Sequence, residues 1–320
     1  MNFSKSNQAI ESLGHQLANK VLGQEHLVNR MLLALLCNGH LLVEGAPGLA
    51  KTRAIKSLST LIDAKFTRIQ FTPDLLPADI VGTEIFKMNQ GNFEFQAGPI
   101  FNQLILVDEI NRSPAKVQSA LLEAMEERQV SVAGQTRKLD ELFLVMATQN
   151  PIEQEGTYPL PEAQLDRFLL HVLVDYPDIK TEKKILHLIR DEQTDEHQSD
   201  FELDKQVIFK ARDEAGQVYM SENVEDYLLR LIDATRNPQN ISEKLASWIY
   251  YGASPRASLS LDKLSRSNAW LSGRDYTTPE DVSSVFHDVL RHRILLKYEA
   301  ESEGVSKNQV IDEILNQVIV

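Results

Sequence analysis

Gly45-Ala46-Pro47-Gly48-Leu49-Ala50-Lys51-Thr52 is the stretch that decides the fold of this chain. It follows an apolar run, Gly39-His40-Leu41-Leu42-Val43-Glu44, that reads as a buried strand, and it opens a helical pattern. A glycine-rich turn between a strand and a helix is the setting of a phosphate-binding loop, because its backbone N–H groups can point inward at phosphate oxygens. Gly45, Ala46, Pro47, Gly48, Leu49, Ala50, Lys51, Thr52 and the adjoining Arg53 form the candidate nucleotide-binding segment. Lys51 is expected to bridge the β- and γ-phosphates, and Thr52 to place its hydroxyl on Mg²⁺. The usual pattern has Gly before the Lys. Ala50 stands there instead and is expected to lie in helical backbone, which Ala adopts without cost.

Working outward, Leu104-Ile105-Leu106-Val107-Asp108-Glu109 is an apolar strand that ends in two acids. Beside a phosphate loop, Asp108 can hold Mg²⁺ through water, and Glu109 can polarise the attacking water. Leu144-Val145-Met146-Ala147-Thr148-Gln149-Asn150-Pro151 is a third strand with a polar end, where Asn150 can hydrogen-bond both the γ-phosphate and that water. Two arginines complete the set. Arg167 lies in Gln164-Leu165-Asp166-Arg167-Phe168, just before a further apolar strand. Arg256 follows Ser254-Pro255, an N-cap and first-turn pair, so it falls in the first turn of a helix. A cation there is opposed by the helix dipole, which points to an anionic partner such as a bound phosphate.

Strands are expected at 65–71, 104–107, 142–147 and 169–174, all buried, with helical patterns between them. One of these helices begins with Ser113 as N-cap and Pro114 in the first turn. Short apolar strands alternating with helices indicate an α/β fold: a largely parallel sheet covered on both faces. Hairpins are expected within 82–98, around Gln90-Gly91-Asn92, and within 129–139, turning at Ala133-Gly134-Gln135. In the first hairpin, Phe93 and Phe95 read as packing residues rather than a base-stacking platform. After Asp175-Tyr176-Pro177 the pattern is helical to the end, including a helix that starts at Thr278-Pro279. The acidic stretch 191–200 reads as a loop between two helices. The expected organisation is therefore a nucleotide-binding core over residues 1–177 and an all-helical lid domain over 178–320, a natural division for 320 residues.

The net charge of −13 argues against a protein that coats nucleic acid, since phosphate backbones demand clustered Lys and Arg. The single cysteine, Cys37, lies in an apolar run, so no intramolecular disulfide can form and a buried, inert thiol is expected. The N-terminus lacks the apolar core of a signal peptide, and no stretch approaches a transmembrane span, so a cytoplasmic location is expected. The eight histidines show no zinc-like spacing with Cys37.

Taken together, residues 45–52, Val107-Asp108-Glu109-Ile110-Asn111-Arg112, Ala147-Thr148-Gln149-Asn150-Pro151 and residues 156–168 resemble the MoxR family of AAA+ ATPases, and the likeness runs from Val21 to at least Tyr298. Ala before the Lys is itself typical of that family. The resemblance implies an αβα P-loop core followed by a helical lid. The two hairpins match the helix-2 and pre-sensor-1 inserts of the clade that also holds magnesium chelatases and MCM helicases. It implies that Lys51 and Thr52 are Walker A, that Asp108 and Glu109 are Walker B, and that Asn150 is sensor 1. Arg256 resembles sensor 2, and Arg167 resembles an arginine finger offered to a neighbouring subunit. Val21, Leu22, Gly23 and Gln24 resemble the segment that lines the adenine pocket. The implied activity is Mg²⁺-dependent hydrolysis of ATP to ADP by a ring, usually a hexamer. The implied task is chaperone-like maturation or remodelling of protein complexes, sometimes with metal insertion, alongside partners carrying a von Willebrand factor A domain. Two other readings differ in class. One is a nucleic-acid motor of MCM type, for which the second hairpin offers only Arg137 and Lys138 as cations. The other is a nucleotide-dependent binding switch with little turnover, against which Asp108, Glu109 and Asn150 argue.

Overall fold

The computed structural model describes residues 4–46, 48–89, 91–150, 156–194 and 201–320. Two helices open the chain, α1 (Lys5–Lys20) and α2 (Glu25–Leu36), followed by β1 (Leu41–Gly45), α3 (Lys51–Leu61), β2 (Phe66–Gln70) and the short α4 (Pro77–Val81). A hairpin, β3 (Gly82–Lys87) and β4 (Asn92–Ala97), precedes β5 (Leu104–Asp108) and α5 (Ala115–Glu127). A second hairpin, β6 (Gln129–Val132) and β7 (Gln135–Lys138), precedes β8 (Leu144–Gln149), the single turn α6 (Glu162–Leu165) and β9 (Leu170–Val174).

β2, β5, β8, β1 and β9 lie side by side in that order, and every pairing is parallel. Alternation along β1 shows how the sheet is covered. Leu41 and Val43 face one apolar cluster with Leu33, Leu58 and Met146, while Leu42 faces a second with Ile105, Val145 and Leu121. Period-two side chains on a sheet buried on both faces produce this division. β2 departs from the expected buried strand. It is the sheet edge, where Ile69 is buried but Arg68 and Gln70 are exposed. α5 also begins one residue later than expected. Pro114 holds extended backbone in the capping position, and Ala115 is the first helical residue.

Beyond β9 come α7 (Ile179–Thr194), α8 (Lys205–Gly216), α9 (Glu222–Arg236), α10 (Glu243–Trp248) and β10 (Ile249–Tyr251). They are followed by α11 (Pro255–Leu271), α12 (Pro279–Leu290), β11 (Leu295–Leu296), α13 (Tyr298–Ser302) and α14 (Lys307–Gln317). The β10–β11 ribbon is the only pairing of strands among the described residues of this helical lid. α7 carries the helix through Thr194, so the first part of the acidic stretch is helical rather than loop, and 195–200 lie outside the described residues. The first apolar cluster runs without a break from α1 and α2 into α8, α11 and α12. No described helix is long and apolar enough to cross a membrane.

The two hairpins are well-formed antiparallel ribbons. Phe86 pairs with Phe93 across β3–β4, ring centroids 5.2 Å apart, and Phe95 packs on Phe101 at 5.7 Å. The β6–β7 turn uses left-handed backbone at Ala133 and Gly134, so Gln135 already belongs to the strand. Its Arg137 lies over the Phe95 ring, 4.0 Å from the centroid, which joins one hairpin to the other. Gln90, expected in the first turn, lies outside the described residues.

Candidate functional site

The strand order explains where a site can form. β8 lies between β1 and β5, so the segments leaving β1, β5 and β8 meet at one carboxyl edge of the sheet. Open parallel sheets bind ligands at that edge, where the connections diverge. A cleft there is lined by Gly48, Leu49, Ala50, Lys51, Thr52 and Arg53 on one side and by Asp108, Glu109, Thr148 and Asn150 on the other.

The loop between β1 and α3 fits closely at its start. A side chain on Gly45 would meet the Val174 carbonyl oxygen at 2.4 Å, so only glycine lets β1 lie this close to β9. Ala50 departs from the expectation of helical backbone. It caps α3 with φ 59° and ψ 10°, in the left-handed region that glycine occupies freely and alanine does not. Lys51 is the first residue of α3, and its ammonium donates to the Gly45 carbonyl at 2.7 Å. Partial burial holds its pKa below the usual lysine range, and the carboxylates of Asp108, Glu109 and Glu44 oppose that shift. Thr52 and Arg53 follow in the first turn, and Arg53 Nε donates to the Lys20 carbonyl at 2.5 Å. Pro47 and Pro151 lie outside the described residues.

Asp108 ends β5 and is buried. Its carboxylate accepts from Arg68 Nε at 2.5 Å and from the Thr148 hydroxyl at 3.2 Å. Glu109 follows with left-handed backbone, φ 56°. Its N–H donates to the same Thr148 hydroxyl at 3.1 Å, and its carbonyl accepts from the Arg112 N–H at 2.8 Å. Strained backbone persists where its surroundings fix it, and such positions cluster at functional sites. The Glu109 carboxylate accepts from Gln70 Nε2 at 2.9 Å and pairs with Arg112 Nε at 3.2 Å. Thr52 and Asp108 line the same cleft and present a hydroxyl and a carboxylate, the hard oxygen donors that Mg²⁺ selects.

Val21, Leu22, Gly23 and Gln24 connect α1 to α2 beside the carboxyl end of β9, where Gln24 Nε2 donates to the Asp175 carbonyl at 3.1 Å. The bond from Arg53 to Lys20 ties this connection to α3, and none of the four residues is among those that line the cleft.

Arg167 and Arg256 are brought together, but away from that cleft. Arg167 precedes β9, whereas the loop into α3 leaves the far end of its parallel neighbour β1, in a register that pairs Leu41 with Leu170 and Gly45 with Val174. Five residues of strand set those ends roughly 16 Å apart. Arg167 Nε pairs with Glu126 Oε2 at 3.0 Å, and Arg256 Nη2 pairs with Glu126 Oε1. The anionic partner expected for Arg256 is thus, within one chain, the carboxylate of Glu126. The arginines line a second concavity with Asp166, Lys263 and Arg293.

The model described as the ATPase family associated with various cellular activities (AAA) matches residues 40–170, and an AAA lid domain matches 246–314. Chaperone MoxR1 of Mycobacterium tuberculosis is 45% identical over 299 residues, 93% of this chain and 78% of that protein. This chain belongs to the MoxR family of AAA+ ATPases. Protein MoxR of Paracoccus denitrificans is 30% identical over 89% of this chain and 88% of its own length. A crystal structure from Cytophaga hutchinsonii, 44% identical, superposes with a TM-score of 0.89 and covers 98% of this chain and 95% of that one.

Membership of the MoxR family accounts for the parallel sheet and the helical lid. Arg68, Gln70, Arg112, Thr148 and Glu126 were not among the residues singled out in the sequence. For Arg68 and Gln70 a signal existed: Arg68-Ile69-Gln70 alternates polar and apolar, which places two polar side chains on one face of a strand.

Proposed function

We propose that this MoxR-family chain hydrolyses ATP to ADP and phosphate in a Mg²⁺-dependent reaction and uses the cycle to remodel or mature protein complexes. The observation that carries the reading is the cleft itself, which faces Lys51 and Thr52 with Asp108, Glu109 and Asn150 across one sheet edge. In this reading Lys51 leaves the Gly45 carbonyl to bind the β- and γ-phosphates. Thr52 and Asp108 hold Mg²⁺, which when bound neutralises charge on the phosphate oxygens. Glu109 polarises the attacking water, and Asn150 orients it against the γ-phosphate. Gly45 to Arg53 cradle the phosphates, and Val21 to Gln24 close over the adenine.

Arg167 and Arg256 then act on a neighbour. Both stand at the amino edge of the sheet, out of reach of their own phosphate loop, and both are bound to an anion already. A ring in which ATP sits between subunits brings these arginines to the next chain's γ-phosphate, and we take that ring to be a hexamer. The Mycobacterium tuberculosis relative is named a chaperone, which supports that role. A cytoplasmic location, a partner carrying a von Willebrand factor A domain, and metal insertion into clients belong to the same reading. The nucleic-acid motor is disfavoured because Arg137, one of two cations on the second hairpin, is engaged by the Phe95 ring. Phosphate release from ATP and Mg²⁺ is the direct test, with Lys51→Ala as the control. The variant should fold and lose ATP affinity, because Lys51 is a cation at the mouth of the site rather than part of the core. Wild-type affinity in a folded Lys51→Ala protein would refute the assignment.

A further inference from the structure

The two arginines reach Glu126 from opposite sides of the junction between core and lid. Arg167 comes from the segment before β9, and Arg256 from the first turn of α11. Each takes one oxygen of a single carboxyl group. The backbones that carry them are fastened to each other. Asp166, beside Arg167, accepts from the Ser254 hydroxyl at 2.7 Å on one oxygen and from Arg293 Nε at 2.7 Å on the other. Ser254 in turn caps α11, accepting from the Arg256 N–H at 3.1 Å. The frame is therefore fixed while the two guanidinium ends remain partly exposed, at 30% and 43%.

Glu126 sits where its own charge is disfavoured, in the last turn of α5, at the negative end of that helix dipole. Arg256 sits at the positive end of α11, where a cation is disfavoured. Each offsets the other's position. A terminal phosphoryl group presents the same element that Glu126 does, two oxygens on one central atom, but with more negative charge. Two guanidiniums on one carboxylate keep a net positive charge, whereas on a phosphoryl dianion they are neutralised. The phosphoryl group also gains from the amino end of α11, where a carboxylate at the end of α5 has only a penalty of its own.

We propose that Glu126 is a resident stand-in for the neighbour's γ-phosphate: it holds Arg167 and Arg256 together at one anion and yields them when ATP in the adjacent subunit arrives. This rests on the reading above that the two arginines act in trans. Glu126 thereby competes with the neighbour's ATP and weakens ATP-driven assembly, and removing its charge removes a competitor.

The test uses Glu109→Gln protein, which should bind ATP without consuming it, and measures association by sedimentation in saturating ATP and Mg²⁺ over a range of protein concentrations. Adding Glu126→Gln should lower the concentration at half-assembly roughly threefold to tenfold, the size of one or two partly exposed ion pairs. Sedimentation without nucleotide should stay unchanged, and the thermal midpoint should fall by about 1–4 °C as the two pairs are lost. An unchanged or raised half-assembly concentration overturns the stand-in role. Arg167→Ala/Arg256→Ala in the same background separates the two ideas. If that protein assembles less well while Glu126→Gln has no effect, the arginines act in trans and the stand-in role is wrong. If it assembles as its parent does, the trans reading fails and this inference falls with it.

Discussion

The side-chain amide of Gln70 donates to the carboxylate of Glu109 at 2.9 Å, across the pairing of β2 with β5. Arg112 holds the same carboxylate at 3.2 Å. Glu109 is thus engaged by two partners already, and on the proposed reading it must release them to reach a water on the γ-phosphate. Glu109→Gln should bind ATP and lose turnover by on the order of 10²–10⁴, since Gln keeps the shape without the basicity. Gln70→Ala should raise basal turnover by about twofold to tenfold, the worth of one exposed hydrogen bond to a carboxylate. Steady-state phosphate release in both variants checks this, and a Glu109→Gln protein within a few-fold of wild type would move the base elsewhere.

Ala50 supplies a second prediction. Its left-handed backbone, φ 59°, costs an L-residue about 1–2 kcal/mol, and glycine removes that cost while adding about 0.5–1 kcal/mol of unfolded-state entropy. Ala50→Gly should therefore stabilise the nucleotide-free protein by about 0.5–1 kcal/mol. Denaturant unfolding of the two proteins without nucleotide measures the difference, and a less stable glycine variant would contradict the strain.

Much of this architecture was legible in the sequence because it is local. The strand, turn and helix around Lys51, the apolar strand before Asp108 and both hairpins follow from periodicity and turn residues within a few positions. The order of the strands does not. Nothing near Thr148 shows that its strand lies between the other two, yet that placement lets its hydroxyl serve Asp108 and Glu109 together. The same limit hid Glu126. It is one of several acids on α5 in sequence and becomes distinctive only when residues 41 and 130 positions away are folded against it. Ala50 was misread for a different reason, since residue type sets which backbone is cheap, not which backbone the loop requires.

His40 gives the chain a defined response to acid. It begins the segment into β1, accepts from the Val145 N–H on Nδ1 at 3.0 Å and faces the Met125 carbonyl with Nε2 at 3.2 Å. Only the neutral ring with its proton on Nε2 satisfies both. Burial, reinforced by Arg128, lowers its pKa from 6.5 to about 3. The folded protein thus binds this proton more weakly than the unfolded chain. The contribution is fully present above pH 6.5 and is lost as the pH falls from there towards 3. At one pH unit below the unfolded value the loss from His40 alone is about 1.4 kcal/mol. Chemical denaturation at pH 7.5 and 5.5 should show His40→Gln less stable at the higher pH and less sensitive to the change than wild type. Equal slopes would show that His40 does not titrate on unfolding. Because Met125 adjoins Glu126, the same ring also anchors the turn that carries the partner of the two arginines.

The last prediction concerns whether Arg167 works across a subunit boundary. Phosphoryl transfer accumulates negative charge on the equatorial oxygens, and an arginine supplied from outside the site can raise the rate by about 10³–10⁵. Within one chain Arg167 sits on Glu126, at the edge of the sheet remote from Lys51, so it cannot make that contact at home. Arg167→Ala should therefore bind ATP and hydrolyse it poorly, and Glu109→Gln should be inactive with an intact Arg167. Dissociating and reassembling the two together creates interfaces in which an intact Glu109 site meets an intact Arg167 from its neighbour, and part of the activity should return. Arg256→Ala should behave as Arg167→Ala does if, as proposed, both arginines leave the same carboxylate for the same phosphate. A tag on one species confirms that the rings are mixed. Titrating the ratio then separates pairwise rescue, which peaks at intermediate mixtures, from a ring that needs every site intact. A chain that remains monomeric with ATP yet turns over at the full rate, and loses that rate in Arg167→Ala, would place the arginine in its own site and overturn the trans arrangement.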